Sequence, residues 1–519
     1  MKLVRDCSTL KAISEKANQL QLFAMPELAV VTSQTICPVK EITFKDSTRQ
    51  PRLLPTSEVV STSKEKVFYP YWSELCEAIS SRLLLPTKTD SLDLDSTLFD
   101  GWLSKTVDKS WFSINLHTLR NRSLLPIFSP SLRSLVQESM DSGDTVTKSR
   151  KIRLYLGKDQ ERLIEKWFGV ARFCYNKTIE YLRQPGTKAD WKAIKTGLLK
   201  NLPDWCDEVP YQIKSVAIRD ACIAVREAKK KFAKSGSFNE VSFKSRKNPT
   251  QSCYIPKSAL SIDGIYKTIL GKIRYGENLP QDLMDSRLVR RYGRYYLTVP
   301  YQEQRIVGEN QARVVALDPG VRTFLTMFSE DSFGGIAVDD NLIIQRMCFR
   351  LDDLISRMSK ASAKKRKSMR VAADRLRRRI TNYIDELHHK AARFLCDNFD
   401  VILLPTFETS QMVTKAKRRI RSKSVRQMMS FAHYRFKQFL KHKAFETGKM
   451  VIDVCEAYTS KTVSWTGEIV NVGSARNIKS NDGRKMDRDV NGARGIFLRA
   501  VVDTPLLRKS LNNHFVSES

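Results

Sequence analysis

Arg313-Val-Val-Ala-Leu317 is an almost wholly apolar run, and it stops on Asp318-Pro319-Gly320. A short apolar run bounded by turn residues reads as a buried strand. Pro and Gly end it sharply, so the Asp318 carboxylate is presented at the end of a sheet. The pattern continues on both sides of this strand. Two more short strands are expected before Asp340, and a long helical stretch runs from about Cys348 to Phe399. Asp400-Val-Ile-Leu-Leu404 is another buried strand. Basic helices lead to Gly448, and Lys449 to Cys455 forms a further strand ending at Glu456. A last helix covers about Asp489 to Val501.

Three strands, helix, strand, helix, strand and a final helix is the order of an RNase H-like fold, a mixed sheet covered by helices. The expected fold class is therefore mixed α/β. In a 3-2-1-4-5 sheet, Glu456 would lie two strand spacings, roughly 10 Å, from Asp318. Gly492 and Ala493 are small enough to let the last helix, with Asp489 at its start, pack closely on the sheet. Two strand ends and a helix start would then bring Asp318, Glu456 and Asp489 together. Mg²⁺ prefers hard oxygen ligands, and two such ions cutting a phosphodiester need converging carboxylates. Taken singly, each acid has a simpler role: Asp318 as a turn residue, Asp489 as an N-cap, Glu456 as a solvated strand-end charge.

The composition fits a polyanionic partner. In 519 residues there are 89 Lys+Arg against 56 Asp+Glu, a formal net charge of +33. A surface that basic gains by releasing counterions from phosphates. Nucleic acid is the expected partner, with an acidic membrane surface as the rival. No apolar run reaches the roughly 18 residues of a membrane span, so no transmembrane helix is expected, and with nucleic acid as the common case no membrane partner is expected. The ten Cys form no C-x-x-C pair, and several sit in apolar runs, as reduced, buried thiols of an intracellular protein would. Among the six His there is no His-x-His, which counts against HUH-type rolling-circle transposases.

Before the strand at 313 the chain divides in two. Residues 1–148 are mixed in character and end in the small, polar stretch Met140 to Ser149, a plausible linker. Lys151-Ile-Arg-Leu-Tyr-Leu156 alternates as a strand, Lys158 to Leu182 and Tyr211 to Lys234 have helical periodicity, and strand-like pieces resume through Arg294 to Pro300.

Five motifs make a resemblance specific. Ala316-Leu-Asp-Pro-Gly-Val-Arg-Thr323 resembles the first RuvC motif of the TnpB/Fanzor proteins, and Asp487-Arg-Asp-Val-Asn-Gly-Ala-Arg-Gly-Ile496 resembles their third. Tyr458-Thr-Ser-Lys-Thr462 is similar to the segment preceding their zinc ribbon. Ser242-Phe-Lys-Ser-Arg-Lys247 is similar to a stretch of their wedge domain, and Arg172-Phe-Cys-Tyr-Asn176 to their first recognition helix. The similarity covers about residues 150–505. It implies an RNA-guided DNA endonuclease associated with a transposable element, a distant cousin of type V CRISPR effectors. The implied partners are a guide RNA from the element's end and a target DNA, met by a monomer or dimer. The implied cofactor is Mg²⁺, two ions, with Mn²⁺ possible, held by Asp318, Glu456 and Asp489.

The implied domains are an accessory extension over 1–148 and a β-barrel-like wedge over 149–310 with a helical insertion at about 158–235. A RuvC-like domain over 311–505 follows, with a degenerate zinc ribbon at about 459–486, then a tail over 506–519. The protein would be intracellular, nuclear in a eukaryote and in the cytoplasm or nucleoid of a bacterium.

Two departures stand out. The family's usual second-motif Glu falls here on Pro405, which cannot bind metal. Some relatives place the Glu after the next strand, where Glu456 stands, and Glu408 is the fallback. The CxxCG pairs of the ribbon read Val463-Ser-Trp-Thr-Gly467 and Lys479-Ser-Asn-Asp-Gly483. With no thiol left, no structural zinc is expected. The loop would fold by packing, around Trp465, or stay disordered.

Basic runs would line an RNA–DNA channel: Lys244, Arg246 and Lys247 in the wedge, Arg375 and Arg378 in the long helix, and Lys417, Arg418 and Arg419 beyond it. Each run alone is more often a solvated helix face. Lys364 to Lys367 and Lys417 to Arg421 also resemble nuclear-localisation signals. Phe243, Tyr254, Tyr292, Tyr295 and Tyr296 lie among these cations and would stack on unpaired bases or pack in the core. Three other readings stay open: a non-catalytic RNA-guided DNA-binding protein, an unguided nuclease or resolvase of the same fold, and a basic scaffold.

Overall fold

The computed structural model describes residues 94–95, 114–119, 128, 132, 145–236, 238, 240–306, 312–338, 340–405, 429–456, 459–473 and 475–511. The described strands are β1 (Leu94–Asp95), β2 (Ile114–Leu119), β3 (Thr145–Tyr155), β4 (Thr250–Ile255), β5 (Leu260–Ser261), β6 (Gly264–Ile265), β7 (Arg274–Tyr275), β8 (Ser286–Arg291) and β9 (Arg294–Gln304). The C-terminal half adds β10 (Val314–Pro319), β11 (Leu325–Ser329), β12 (Ser332–Ile336), β13 (Val401–Pro405), β14 (Met450–Val454), β15 (Asn477–Lys479) and β16 (Lys485–Asp487). The architecture is mixed α/β, built around two sheets.

The first sheet is antiparallel, in the order β4-β8-β9-β3-β7. β3 alternates, which sends Val146, Ile152 and Leu154 into a core. Helices Lys158–Leu182 and Tyr211–Ser235, which the sequence places between β3 and β4, are joined there by a third that periodicity did not indicate, Trp191–Lys200. Ile164, Trp167, Phe168, Val170 and Ala171 form the buried stripe of the first helix, at the three-to-four spacing a helix needs.

The second sheet runs β1-β2-β12-β11-β10-β13-β14. Its last five strands carry the 3-2-1-4-5 order expected from the sequence, with β10 antiparallel to β11 and parallel to β13, and β13 parallel to β14. β2, which falls in the stretch read as an accessory extension, pairs with β12, Ile114 opposite Ile336 through Thr118 opposite Ser332. Phe128 and Leu132 are buried with the C-terminal core as well. At least this part of 1–148 is integral to the sheet, because β12 would otherwise present an open edge.

Alternation along the strands sorts their side chains onto two faces. Val315, Leu317, Ile402 and Leu404 pack beneath helices Ala363–Asn398 and His433–Thr447. Val314, Ala316, Val401, Leu403 and Val454 pack beneath helix Arg488–Asp503. The expected single helical stretch after β12 is two helices, Asp340–Lys360 and Ala363–Asn398, divided at Ala361 and Ser362.

The strands are aligned at the end of the sheet away from the acids by a buried ion pair. Lys449 Nζ lies 2.6 Å from Asp400 Oδ1, and both side chains are almost fully buried. Asp400 Oδ2 accepts the Arg313 N–H at 2.9 Å, and the Asp400 carbonyl accepts from Met450 N at 2.8 Å. One carboxylate thus ties the starts of β10, β13 and β14. Breaking a buried pair leaves an uncompensated charge, so Lys449→Ala is expected to destabilise the protein by about 3–5 kcal/mol. The double variant Lys449→Met with Asp400→Asn should be much less destabilised. Thermal and denaturant unfolding of the three proteins checks this.

Candidate active site

Asp318 stands at the end of β10, on the face that carries Val314 and Ala316. Helix 488–503 crosses this face so closely that a Cβ on Gly492 would sit 2.6 Å from Asp318 Oδ2. Any larger residue would displace the Asp318 carboxylate, so the glycine of the third motif lets that carboxylate keep its place. The register Ala316–Leu403, continued by two residues, brings Pro405 level with Asp318, and Pro405 in turn pairs with Val454. Glu456 therefore lies two residues beyond that level, past the end of β14 at Val454. Met450, Ile452 and Val454 lie on the face that carries Val314 and Ala316, and Glu456 follows beyond the strand, near enough for its charge to act on Asp318.

Helix 488–503 begins with Asp487 as its N-cap, whose side chain accepts from the backbone N–H groups of Asp489 (2.9 Å) and Val490 (3.4 Å). The cap is thus Asp487, not Asp489. Asp489, in the first turn, is left with its own carboxylate available, half-exposed and 3.6 Å from Arg488 Nε.

The electrostatics link the three acids. The Asp318 carboxyl is pushed up to about 7, first by burial, then by the negative charges of Asp489 and Glu456, with Arg488 opposing. Burial also raises Glu456. Asp318 thus sits within electrostatic range of both other acids. Among the described residues, however, no three His, Cys, Asp or Glu side chains are gathered closely enough to hold a metal ion. The donor chemistry nonetheless fits a hard divalent cation: carboxylate oxygens only, with the Asp318 carboxyl raised by desolvation and by its acidic neighbours, a penalty that a cation would relieve. Glu408 lies outside the described residues.

The turn after Asp318 is held from below. His433 Nε2 donates to the Gly320 carbonyl at 3.0 Å, and its ring stacks on Phe324, which stacks on His388 on its other side. His388 Nε2 meets the Phe431 carbonyl at 2.7 Å. Burial lowers both imidazoles to about 4, so they are neutral and act as rigid hydrogen-bonding wedges. Neither imidazole is legible in the sequence, because their stacking on Phe324 is a tertiary contact that joins two separate helices.

The ribbon is folded, and its residues do not fit zinc. Val463, in the first thiol position, is fully buried, as is Ile478. Thr466, Lys479 and Asp482 occupy the other three positions. Two tight turns remain: Gly467 N donates to the Val463 carbonyl (2.8 Å) and Gly483 N to the Ser480 carbonyl (3.2 Å), with both glycines at positive φ. Trp465 Nε1 donates to Ser480 Oγ at 3.1 Å, and Asn481 N to Glu468 Oε2 at 3.3 Å, joining one turn to the other. Trp465 is a half-buried cross-link, while Val463 and Ile478 form the buried centre.

The basic residues divide. Arg375 and Arg378 line a cavity of about 430 Å³ with Arg294, Arg379, Asn382, Tyr383 and Glu386, between β9 of the first sheet and helix 363–398. Burial, followed by the charge of Arg294, lowers the Arg378 guanidinium, and Arg378 donates to the Tyr292 carbonyl. Arg246 and Lys247 are exposed. Lys244 instead holds its Nζ 3.9 Å from the Tyr175 ring centroid, and its backbone exchanges hydrogen bonds with the Asn176 side chain (2.8 and 3.0 Å). It fastens the wedge segment to the first helix. Tyr295 is a core residue whose hydroxyl donates to Glu165 at 2.8 Å. Phe243 and Tyr296 are covered by Arg183 and Lys151. Lys417, Arg418 and Arg419 lie outside the described residues.

Known proteins match along the same stretch. The Cas12f1-like, TNB domain family matches residues 433–496, and a helix-turn-helix domain family of the IS605 OrfB kind matches residues 140–184. Two TnpB-like proteins of Acanthamoeba polyphaga mimivirus are each 24% identical over 381 residues, covering 67% of this chain and 72% of their own. The chain is TnpB-like. A cryo-EM structure of a Cas12f1–sgRNA–target DNA complex aligns with 68% of this chain and 99% of its own, at 11% identity and a TM-score of 0.40. That superposition is too loose to fix any detail here.

The raised Asp318 makes the metal-free TnpB-like chain pH-sensitive in a stated direction. Its folded carboxyl holds a proton between the usual 3.8 and about 7, where the unfolded one has lost it. Stability from this group is therefore present at low pH and lost as pH rises through 7. Asp318→Asn should raise the Tm of metal-free protein, by more at pH 8 than at pH 5, with the difference worth a few kcal/mol. At the cavity, Arg375→Ala and Arg379→Ala should each lower the slope of log binding constant against log salt by about 1 for nucleic acid. Fluorescence anisotropy across a salt series measures it.

Proposed function

We propose that this chain is an RNA-guided DNA endonuclease of a transposable element, cutting through a RuvC-like, RNase H-like domain that spans β10 to helix 488–503. The observation that carries the reading is the Asp318 carboxyl, half-buried with Gly492 packed over it, and pushed up first by desolvation and then by Asp489 and Glu456. Clustered, mutually repelling acids are uphill unless a cation neutralises them, and perturbed acids of this kind mark functional sites. Two Mg²⁺ ions held by Asp318, Glu456 and Asp489 would activate a water for attack on the phosphodiester and stabilise the departing oxygen. Asp318, fixed by Gly492 and by the turn His433 holds, would be the shared ligand. Glu456 and Asp489 would close on it from either side.

The arginine-lined cavity supports a nucleic-acid path. Arg294, Arg375, Arg378 and Arg379 stand together with Glu386 as the one acid in the lining, an arrangement that phosphates stabilise. Guide RNA would be held by the wedge and its inserted helices, with the guide–target duplex read by shape and backbone. A non-catalytic, RNA-guided binding protein is the second reading, motivated by the thiol-free ribbon.

The test is expression with the flanking element DNA, sequencing of the co-purified RNA, and cleavage of matching DNA with Mg²⁺. A discrete RNA, with cleavage reduced at least about 10³-fold in Asp318→Asn and in Glu456→Gln, supports the nuclease. Bound RNA without cleavage supports the second reading, and absence of a discrete RNA rejects guidance.

A further inference from the structure

Asn491 has no accessible surface, although it is polar and, apart from Arg494, the other buried residues of its helix are small or apolar. All of its hydrogen-bonding capacity that the structure records goes to one segment. Its Oδ1 accepts the Ser464 N–H at 2.9 Å, and its Nδ2 donates to the Thr462 carbonyl at 2.9 Å and the Thr459 carbonyl at 3.5 Å. Arg494, one turn on and likewise fully buried, donates to the Ser464 carbonyl. Gly495 completes this face: a Cβ there would lie 3.3 Å from Thr459 Cβ. Positions i, i+3 and i+4 of one helix therefore all grip residues 459–464.

The gripped segment follows directly on Glu456. Thr459 is buried, and both its N–H (3.3 Å) and its Oγ1 (2.9 Å) donate to the Glu456 carbonyl. A continuous hydrogen-bonded path thus runs from the Glu456 main chain through Thr459 to Asn491. Asn491 is two residues from Asp489 and adjacent to Gly492, which meets Asp318. Burying a carboxamide is unfavourable unless its partners are made, so this polar core is rigid only as a unit.

We infer that Asn491 and Thr459 are positioning residues for the acid cluster, setting where Glu456 stands relative to Asp318 and Asp489. Neither needs to touch a cation or a phosphate. The inference rests on the metal-dependent nuclease reading, and it specifies how that site's spacing is maintained when β14 ends short of Glu456. Glu456 has no strand partner to fix it, since β14 stops at Val454. The Thr459–Asn491 path substitutes for the missing sheet register.

The experiment uses the full chain with its bound RNA and reads Mn²⁺ binding by electron paramagnetic resonance, alongside Tm and DNA affinity. Asp318→Asn serves as the control for the metal site. Asn491→Ala is expected to weaken Mn²⁺ binding at least tenfold, and Thr459→Val several-fold, each with DNA affinity unchanged. Thr459→Ser, which keeps the hydroxyl, should restore wild-type Mn²⁺ affinity. In cleavage, the Mg²⁺ concentration for half activity should rise while KM for DNA stays the same.

If Asn491→Ala does not fold, the Thr459→Val and Thr459→Ser pair carries the test by itself. Wild-type Mn²⁺ affinity in Thr459→Val, or a loss in Thr459→Ser equal to that in Thr459→Val, would overturn the inference. A wild-type protein that binds no Mn²⁺ above the Asp318→Asn control would instead overturn the metal site, and the inference with it.

Discussion

Like charges brought together in a poorly solvated place repel, and the C-terminal half of this molecule is arranged around holding such charges still. Asp318 is half-buried and poorly solvated beside two other acids, an arrangement that favours neither folding nor rigidity. The compensation is structural and lies on every side of the carboxylate. Below it is the completely buried β10–β13 layer. Above it is a helix whose glycine admits nothing but the carboxylate. At the far end of the strands, the Lys449–Asp400 pair fixes their alignment. Because strand side chains alternate with period two, a slip of one residue between β10 and β13 would disturb both cores and the placement of Asp318 relative to its neighbours. The buried ion pair is therefore better read as a register device than as a source of stability, which such pairs supply poorly.

Much of this was legible from residues alone because it is local. Apolar runs stopped by Asp-Pro-Gly or followed by Cys-Glu mark strand ends, and small residues after Asp489 mark a close approach. What was not legible is non-local. Ile114-Asn-Leu-His-Thr-Leu119 has the hydrophobic spacing of a strand, but nothing near it says that its partner lies more than two hundred residues away on β12. Lys244 sits in a basic motif that reads as a phosphate contact. Its Nζ over Tyr175 depends on how a loop meets a helix, which composition does not encode. The neutral pair His388 and His433 was likewise invisible, since stacking on Phe324 is a tertiary fact.

The ribbon shows how a metal can be dispensed with. Structural zinc holds two tight turns together by binding four side chains at one point, and without it such loops have too little apolar surface to order themselves. Here both turns keep the glycines that their positive φ requires. One metal-facing position has become Val463, which is buried with Ile478. The connection between turns passes to Trp465–Ser480 and Glu468–Asn481. These are individually weak links, worth about 1 kcal/mol each. They suffice because the first turn does not stand alone: Asn491 and Arg494 clamp Thr462 and Ser464 from the neighbouring helix.

That clamp joins the two halves of the argument about the site. In a sheet that carried its second acid at the end of β13, the acid would be level with Asp318 and about 5 Å away, fixed by strand pairing alone. Pro405 occupies that place instead, and the acid that could replace it has moved one strand outward and two residues past the level of Asp318. Such a residue gets no help from the sheet and must be held by something else. The only described groups bonded to its main-chain carbonyl are those of Thr459, and Thr459 is in turn bonded to Asn491. Moving an acid away from a strand thus transfers the demand for precision from the backbone ladder to a buried side-chain network. Asn491, a buried carboxamide in the first turn of helix 488–503, is the physical trace of that transfer.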